Sequence, residues 1–132
     1  MEELINWTIE FVKHRDIWNK NLESYSVDKH IISFKFKNSN QNYIVLSDLT
    51  DECVKFKDLS DSKGIVCLAK KSNLKFLLNK WSEFKQKSAV VIFVDLNTSS
   101  KLLINPFIHS KICDDSALES GLASLYENAF EL

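Results

Sequence analysis

The chain has 132 residues, a formal net charge of −1 and 45% hydrophobic residues, values typical of one globular domain with a single core. It contains no apolar run of the roughly 20 residues that a membrane span needs, and its acidic start at Glu2 and Glu3 differs from a secretory signal. Cys53, Cys67 and Cys113 are widely spaced and odd in number, which predicts reduced thiols and a cytoplasmic protein with no membrane partner.

The N-terminal third predicts a helix and then a hairpin. Apolar residues recur at helical spacing over 3–22: Leu4, Ile5, Thr8, Phe11, Val12, Trp18 and Leu22. Trp7 lies off this stripe and is a candidate exposed residue. Alternating residues at 30–37 and the apolar segment 42–46 predict an antiparallel hairpin with a polar turn between them. Residues 47–63 are rich in acidic residues and receive no assignment.

The middle of the chain predicts a parallel crossover. An apolar strand at 64–69 precedes a helix at 73–86, with Ser72 or Asn73 as its N-cap, and a second strand follows at 89–95. This second strand is continuously apolar and rich in β-branched residues, which indicates burial on both faces at the centre of the sheet. A polar turn then leads to a strand at 101–104.

The C-terminal part predicts a connector at 107–113 and a last helix that begins at Asp115 or Ser116. Ser116 and Glu119 fit a capping box, and a stripe of apolar residues would face the core: Leu118, Leu122, Leu125 and Ala129. Gly121 within this helix predicts close packing against a neighbour. Tyr126 and Phe130 are expected to pack in the core, with contact with a partner as the alternative. The predicted fold is α/β (or α+β), a mixed sheet of about five strands with N-terminal, crossover and C-terminal helices.

Glycine scarcity excludes two classes of nucleotide-binding protein. Gly64 and Gly121 are the only glycines, whereas a Walker loop and a dinucleotide fingerprint each need several glycines where the backbone approaches a phosphate. No cofactor is expected.

Lysines are concentrated in one part of the chain. Residues 61–90 hold seven lysines and two acids, whereas residues 91–132 hold two lysines and six acids. The lysines on and before the crossover helix are candidates for contact with nucleic-acid phosphates: Lys70, Lys71, Lys75 and Lys80. A solvated surface is the alternative. The single arginine, Arg15, argues against base-specific recognition, which usually uses arginine.

The order helix, strand, strand, strand, helix, strand resembles the core of the PD-(D/E)XK nuclease superfamily. The resemblance implies a divalent metal held by an Asp after the second strand and by a D/E-x-K motif on the third. Asp48 and Lys71 occupy two of these positions and are the candidate catalytic residues, but Ala69 replaces the motif acid. A metal site would then lack a carboxylate, for which Asp95 and Asp58 are candidate substitutes. The resemblance therefore favours a degenerate member that does not cleave; an unrelated α/β domain is the alternative.

A second cluster of polar residues surrounds Pro106. Asn105 and His109 are candidate binding residues because they follow a strand end, where open α/β sheets place ligands. In a helix His109 and Cys113 would share a face, but two ligands do not make a metal site, and no metal is predicted.

Three functional hypotheses follow. The first is a non-catalytic binding module with a degenerate nuclease-like core, which contacts nucleic acid through the lysine-rich helix. The second is a protein-interaction or homodimerisation domain. The third is a metal-dependent nuclease, and the missing carboxylate favours a protein that is not an enzyme.

Overall fold

The computed structural model describes residues 2–51, 63–86, 89–112 and 114–130. These residues form a mixed six-stranded sheet and five α-helices, which confirms the α/β class. The strands are β1 (Leu22–Asp28), β2 (Ile31–Phe36), β3 (Asn40–Val45), β4 (Gly64–Leu68), β5 (Val90–Asp95) and β6 (Ser100–Ile104). The helices are α1 (Glu2–Arg15), α2 (Lys71–Asn79), α3 (Trp81–Phe84), α4 (Pro106–Ile112) and α5 (Leu118–Phe130), with a 3₁₀ turn at Asp115–Ala117.

The strands lie in the sheet in the same order as in the chain. β1, β2 and β3 form an antiparallel meander, β3, β4 and β5 are parallel, and β6 returns antiparallel to β5. The predicted β2–β3 hairpin and the predicted parallel crossover from β4 to β5 are therefore confirmed. In β5 the four residues 91–94 are all buried, as its unbroken apolar run predicts.

Helices cover both faces of the sheet. α1 packs on one face through Leu4, Ile9 and Val12, against side chains that include Ile32 and Phe34. The other face carries α2, α3 and α5, whose buried residues include Leu77, Phe84 and Leu122. Each fully buried leucine or phenylalanine contributes roughly 1.5–3 kcal/mol. The two apolar layers, divided by the sheet, are the main stabilising feature of the fold.

The helix predicted over 3–22 is confirmed up to Arg15 and is wrong for residues 16–22. α1 ends at Arg15, and the chain then turns and enters β1, an edge strand that the sequence did not predict. The carboxylate of Asp16 accepts hydrogen bonds from the backbone N–H groups of Asn21 (3.1 Å) and Leu22 (2.7 Å). These bonds hold a loop in place of further helix, and Trp18 is left 92% exposed.

The predicted crossover helix is divided in two. α2 begins after Lys70, which has extended backbone angles and makes no capping bond with its side chain, so the predicted cap at Ser72 or Asn73 is wrong. The helix is interrupted at Lys80 and resumes as α3. The interruption turns Trp81 and Phe84 into the core beside Leu77.

The segment after Pro106 is a helix rather than the predicted connector. Pro106 is the first residue of α4, where its missing N–H has no intrahelical partner to lose. The 3₁₀ turn at Asp115–Ala117 agrees with the predicted start of the last helix. Its cap is Asp114, whose carboxylate accepts a hydrogen bond from the backbone N–H of Ser116 (3.1 Å), and this bond lowers the pKa of Asp114.

For α5 the expected core packing of Tyr126 is confirmed, and two other predictions are corrected. Tyr126 is 5% exposed and meets Phe93 edge-on, so it belongs to the core and not to a partner surface. Phe130 packs on Tyr126 with 5.0 Å between ring centroids, and Leu125 of the predicted core stripe is exposed. A Cβ built on Gly121 would meet no atom within 4 Å, which excludes the predicted close packing there.

On α1, Trp7 is half-buried and stacks on Phe11 with 5.1 Å between ring centroids, so it is not a fully exposed residue.

Among the described residues, no helix combines the length and the apolar character that crossing a bilayer requires.

Left-handed backbone positions are occupied by residues other than glycine. Lys20, Lys29 and Ser99 have φ between 52° and 59°, whereas neither glycine has a positive φ. Lys29 opens the two-residue connection between β1 and β2, where hairpins of this length need a positive φ. The scarcity of glycine thus leaves local strain of about 1 kcal/mol at each of these turns.

Candidate functional site

The nuclease-like motif positions lie where β3 and β4 end. The Nζ of Lys70 lies 3.0 Å from Oδ1 of Asp48 and joins the two strand ends by an ion pair. Both side chains are largely exposed, so the pair contributes little stability. Asp48 is thus placed against a lysine, and that lysine is Lys70 rather than the predicted motif lysine Lys71.

Among the described side chains, no hydrogen bond or ion pair joins another carboxylate to this pair. Ala69 is half-buried where the motif acid would stand, and Asp95 accepts a hydrogen bond from the backbone N–H of Asn97 in the β5–β6 turn. Asp58, the other candidate substitute, lies outside the described residues. Over residues 2–51, 63–86, 89–112 and 114–130 no group of three or more His, Cys, Asp or Glu side chains could hold a metal ion.

A residue that sequence reasoning treated as a helix cap organises this end of the sheet. Asn73 is 2% exposed, and its Oδ1 accepts a hydrogen bond from the backbone N–H of Leu49 (2.9 Å). Its Nδ2 donates to the carbonyl oxygens of Ser47 (2.9 Å) and Leu68 (2.8 Å). Asn73 therefore ties α2 to the ends of β3 and β4, a structural role that its position near a helix start did not indicate.

The four candidate phosphate-binding lysines do not form one free basic surface. Lys80 lies 3.5 Å from Asp51, and Lys70 is paired with Asp48. Lys71 and Lys75 are exposed on α2. The charges of Lys70 and Lys80 are thus offset by neighbouring carboxylates, which weakens the attraction of this helix for a polyanion.

Asn105 and His109 have roles within the fold. The Oδ1 of Asn105 accepts a hydrogen bond from the backbone N–H of Ile108 (3.2 Å) and so caps α4. The ring of His109 meets the indole of Trp81 edge-on at 5.6 Å, a contact that docks α4 on α3. Cys113, the other half of the predicted His–Cys pair, lies outside the described residues, and Cys67 is fully buried in the core.

The edge strand β1 is little covered by the other described elements. Six of its seven residues are exposed, including Tyr25 and Val27. Ile17 and Trp18, in the loop before this strand, are 55% and 92% exposed. Ile17 and Tyr25 line the same concave surface beside the strand. Sequence analysis missed this surface because it placed Trp18 and Leu22 on a helix.

The opposite edge of the sheet also carries apolar side chains. Leu103 on β6 is exposed, as are Phe107 and Ile108 on the adjoining helix α4. However, α5 packs along β6 and covers part of this edge, where Leu102 is half-buried against the core. β1 is thus the more open of the two edges.

Comparison of the chain with protein-family models, with curated proteins and with solved structures finds no match in any of the three. The candidate function therefore rests on the geometry of the chain itself.

Proposed function

We propose that this protein is a non-catalytic binding module that forms a homodimer, in which β1 of one copy pairs antiparallel with β1 of a second copy. The observation that carries the proposal is the uncovered edge strand β1, with six of seven residues exposed. An edge strand presents unpaired N–H and C=O groups that can pair with another chain. Natural edges are often blunted by a lysine, a proline or a β-bulge. β1 contains no lysine or proline between Leu22 and Asp28, and its one register shift lies at its start, between Leu22 and Ser24.

The register of β1 on β2 identifies the backbone groups that face outward. Asp28 is paired with Ile31 across the two-residue connection, and Val27 with Ile32. Hydrogen-bonded and non-hydrogen-bonded pairs alternate in an antiparallel ladder, beginning with the bonded pair beside a short turn. Tyr25 and Val27 are therefore expected to direct their N–H and C=O groups away from β2, towards a second strand.

The side chains of β1 also favour self-pairing. A two-fold axis at Tyr25 would set this ring against Tyr25 of the second copy, and cross-strand aromatic pairs contribute about 0.2–1 kcal/mol each. The same pairing sets Glu23 opposite Val27 of the second copy, with Lys29 two residues further along that chain. A parallel arrangement would instead place Glu23 beside Glu23, which opposes association. The charged residues of β1 itself, Glu23 and Asp28, are both acidic, so the antiparallel arrangement is favoured because it separates Glu23 from its counterpart.

The neighbouring loop would extend the contact. Ile17 and Leu22 border the concave surface beside Tyr25, and exposed Trp18 belongs to the same loop. Aromatic side chains of this kind are frequent anchors of protein interfaces. Burial of Ile17 and Trp18 in a dimer would remove the largest exposed apolar side chains near β1 from water.

Light scattering after size-exclusion chromatography tests the proposal. Samples from about 1 to about 100 µM cover association free energies of about −8 to −5.5 kcal/mol. We expect a dimer for the wild-type chain. Val27→Lys puts a charge at the outward edge and should raise the dissociation constant at least about 10-fold, with an unchanged thermal midpoint for the monomer.

Leu103→Lys is the matched control, since it makes the same type of change on the other edge strand, β6. It should leave the dimer intact. A wild-type chain that is monomeric throughout the concentration range would overturn the proposal. If Leu103→Lys dissociated the dimer and Val27→Lys had no effect, the interface would be at β6 rather than at β1.

Nucleic-acid binding through α2 and a nuclease-like ancestry are hypotheses that compete with self-association. The cytoplasmic location stays a prediction. Fluorescence anisotropy with labelled DNA and RNA, in magnesium, separates both hypotheses from self-association. Phosphate contacts release counterions, so binding through Lys70 and Lys75 should fall steeply between about 0.05 and 0.2 M salt. The variant with both lysines changed to glutamate should then lose binding. Cleavage on a gel would instead favour the nuclease.

A further inference from the structure

A polar cleft lies where the loop after α1, the β2–β3 turn and the entry to β4 meet. Its volume is about 290 Å³, and its polar lining includes Arg15, Asn19, Asn38, Gln41, Tyr43 and Lys63. Val12 and Phe36 form its apolar part. Such a mixture, a small apolar area with a few converging polar groups, is typical of sites for small molecules, and the volume corresponds to the lower end of their range.

Backbone hydrogen bonds hold the walls of the polar cleft in place. The N–H of Lys37 donates to the carbonyl of Asn21 (2.9 Å), which joins the β2–β3 turn to the loop after α1. The N–H of Phe36 donates to Ser39 (2.8 Å), and the N–H of Lys63 donates to Asn42 (2.8 Å). Three separate segments are therefore fixed relative to one another before a ligand arrives, which reduces the entropy lost on binding.

The charges of the polar cleft favour an anion. Arg15 and Lys63 are cationic, and Arg15 has no ion pair with a carboxylate among the described residues. Among the described lining residues the only carboxylate is that of Asp16, whose two oxygens accept the N–H groups of Asn21 and Leu22. Its charge is thus directed into the loop. Arg15 lies over the ring of Phe11, 5.3 Å from its centroid, and neither cation has a carboxylate partner within the described part of the chain.

Tyr43 adds a hydrogen-bond donor to the polar cleft. Burial raises the pKa of its phenol, against an opposing effect of the nearby Arg15 guanidinium. The hydroxyl therefore keeps its proton at neutral pH. The side-chain amides of Asn19, Asn38 and Gln41 offer both donors and acceptors, which suits hydroxyl groups of a ligand.

We propose that the polar cleft binds a small, hydroxyl-rich molecule with one anionic group, a phosphate or a carboxylate, held by Arg15 and Lys63. The guanidinium of Arg15 provides two parallel donors for such a group, and the ammonium of Lys63 provides a point charge. The side-chain amides would contact the hydroxyl groups. This site is separate from the dimer contact of β1 and does not depend on it.

Isothermal titration with glucose 6-phosphate, gluconate and glucose tests the proposal and separates its two anionic chemistries. Binding near 1 mM, about −4 kcal/mol, is expected for one of the two anions. Glucose should bind at least about 10-fold more weakly, since it lacks the charge. Inorganic phosphate alone should compete if the phosphate group is recognised. Equal binding of glucose, or no binding of either anion, would overturn the proposal.

Variants locate the site. Arg15→Gln and Lys63→Gln should each lower the affinity at least about 10-fold, and Lys35→Gln, an exposed lysine of β2 outside the polar cleft, should not. Side-chain amide resonances of Asn19, Asn38 and Gln41 should shift on titration with the bound anion. A loss of affinity in Lys35→Gln equal to that in Arg15→Gln would show diffuse charge attraction and contradict a built site.

Discussion

Replacement of Asn73 by alanine should be among the most destabilising polar substitutions in this chain. The side-chain amide makes three hydrogen bonds to backbone groups: it accepts one from the N–H of Leu49 and donates two, to the carbonyl oxygens of Ser47 and Leu68. Asn73→Ala removes all three bonds at once. It also disconnects α2 from the residues that follow β3, so the segment around Leu49 loses its anchor.

The expected cost follows from the burial of the groups that lose a partner. The bond to the N–H of Leu49 is buried, and a buried donor without a partner costs about 1–3 kcal/mol. The two carbonyl bonds are partly buried, and each contributes about 0.5–1 kcal/mol. The sum is about 3 kcal/mol, a large part of the roughly 10 kcal/mol that a domain of this size has.

Urea denaturation followed by circular dichroism measures this loss. With a slope of about 2 kcal/mol/M, the midpoint should fall by about 1.5 M. Asn79→Ala, an exposed asparagine at the end of the same helix, is the control and should change stability by less than about 0.5 kcal/mol. Asn73→Asp keeps the acceptor and removes both donors, so it should also destabilise the fold. If Asn73→Ala matched its control, the reasoning about buried backbone partners would be refuted.

Four further substitutions can be measured by urea or thermal denaturation. One should lower stability, two should raise it, and the fourth should change how the melting temperature depends on pH. Gly64→Ala should cost about 1–3 kcal/mol, because its Cβ would lie 2.9 Å from the carbonyl oxygen of Val90; a neutral effect would show that β4 and β5 can separate. Gly121→Ala should add about 0.5–1 kcal/mol, since the new Cβ meets open space in a helix, and a loss would contradict the absence of a close neighbour. Lys29→Gly should add about 0.5–1 kcal/mol to the free energy of unfolding, because glycine adopts the left-handed backbone conformation of this position without steric strain. Unchanged stability would show that Lys29 carries no such strain. Burial raises the pKa of the Tyr43 phenol, so the stability that its neutral form provides is complete below about pH 10 and is lost as the pH rises further. Tyr43→Phe removes the titrating group and should therefore flatten the fall of the melting temperature between about pH 9 and 11. A fall as steep as that of the wild type would contradict the raised pKa of Tyr43.

The sequence predicted the strands whose burial leaves a clear apolar pattern. β2 alternates around Phe34, and β5 is apolar from Val90 to Val94, as burial on both faces requires. β1 was missed for the opposite reason. Its alternation of polar and apolar residues is short, from Ser24 to Asp28, and its side chains stay exposed, while Leu22 happened to continue the helical spacing of α1.

The candidate sites were less predictable than the fold because they depend on contacts between distant segments. Asn73 has the residue type of a helix cap, and only the approach of residues 47–49 gives it three backbone partners. Asp48 was correctly placed after β3, but its pairing with Lys70 depends on the parallel alignment of β3 and β4. The polar cleft combines ordinary turn residues from three segments, none of which carries a signal alone.

The match between strand order and chain order has a consequence for synthesis. Each strand that leaves the ribosome can join an edge that already exists, and no strand has to enter between two others. Proteolysis of stalled nascent chains should therefore show β1 to β3 protected before β5 is made, and simultaneous protection of all strands would contradict this. The parallel pairs form later, since each waits for its crossover. Besides β1, a growing chain of this topology always exposes the edge of its newest strand, and the last of these edges is β6, which α5 partly covers.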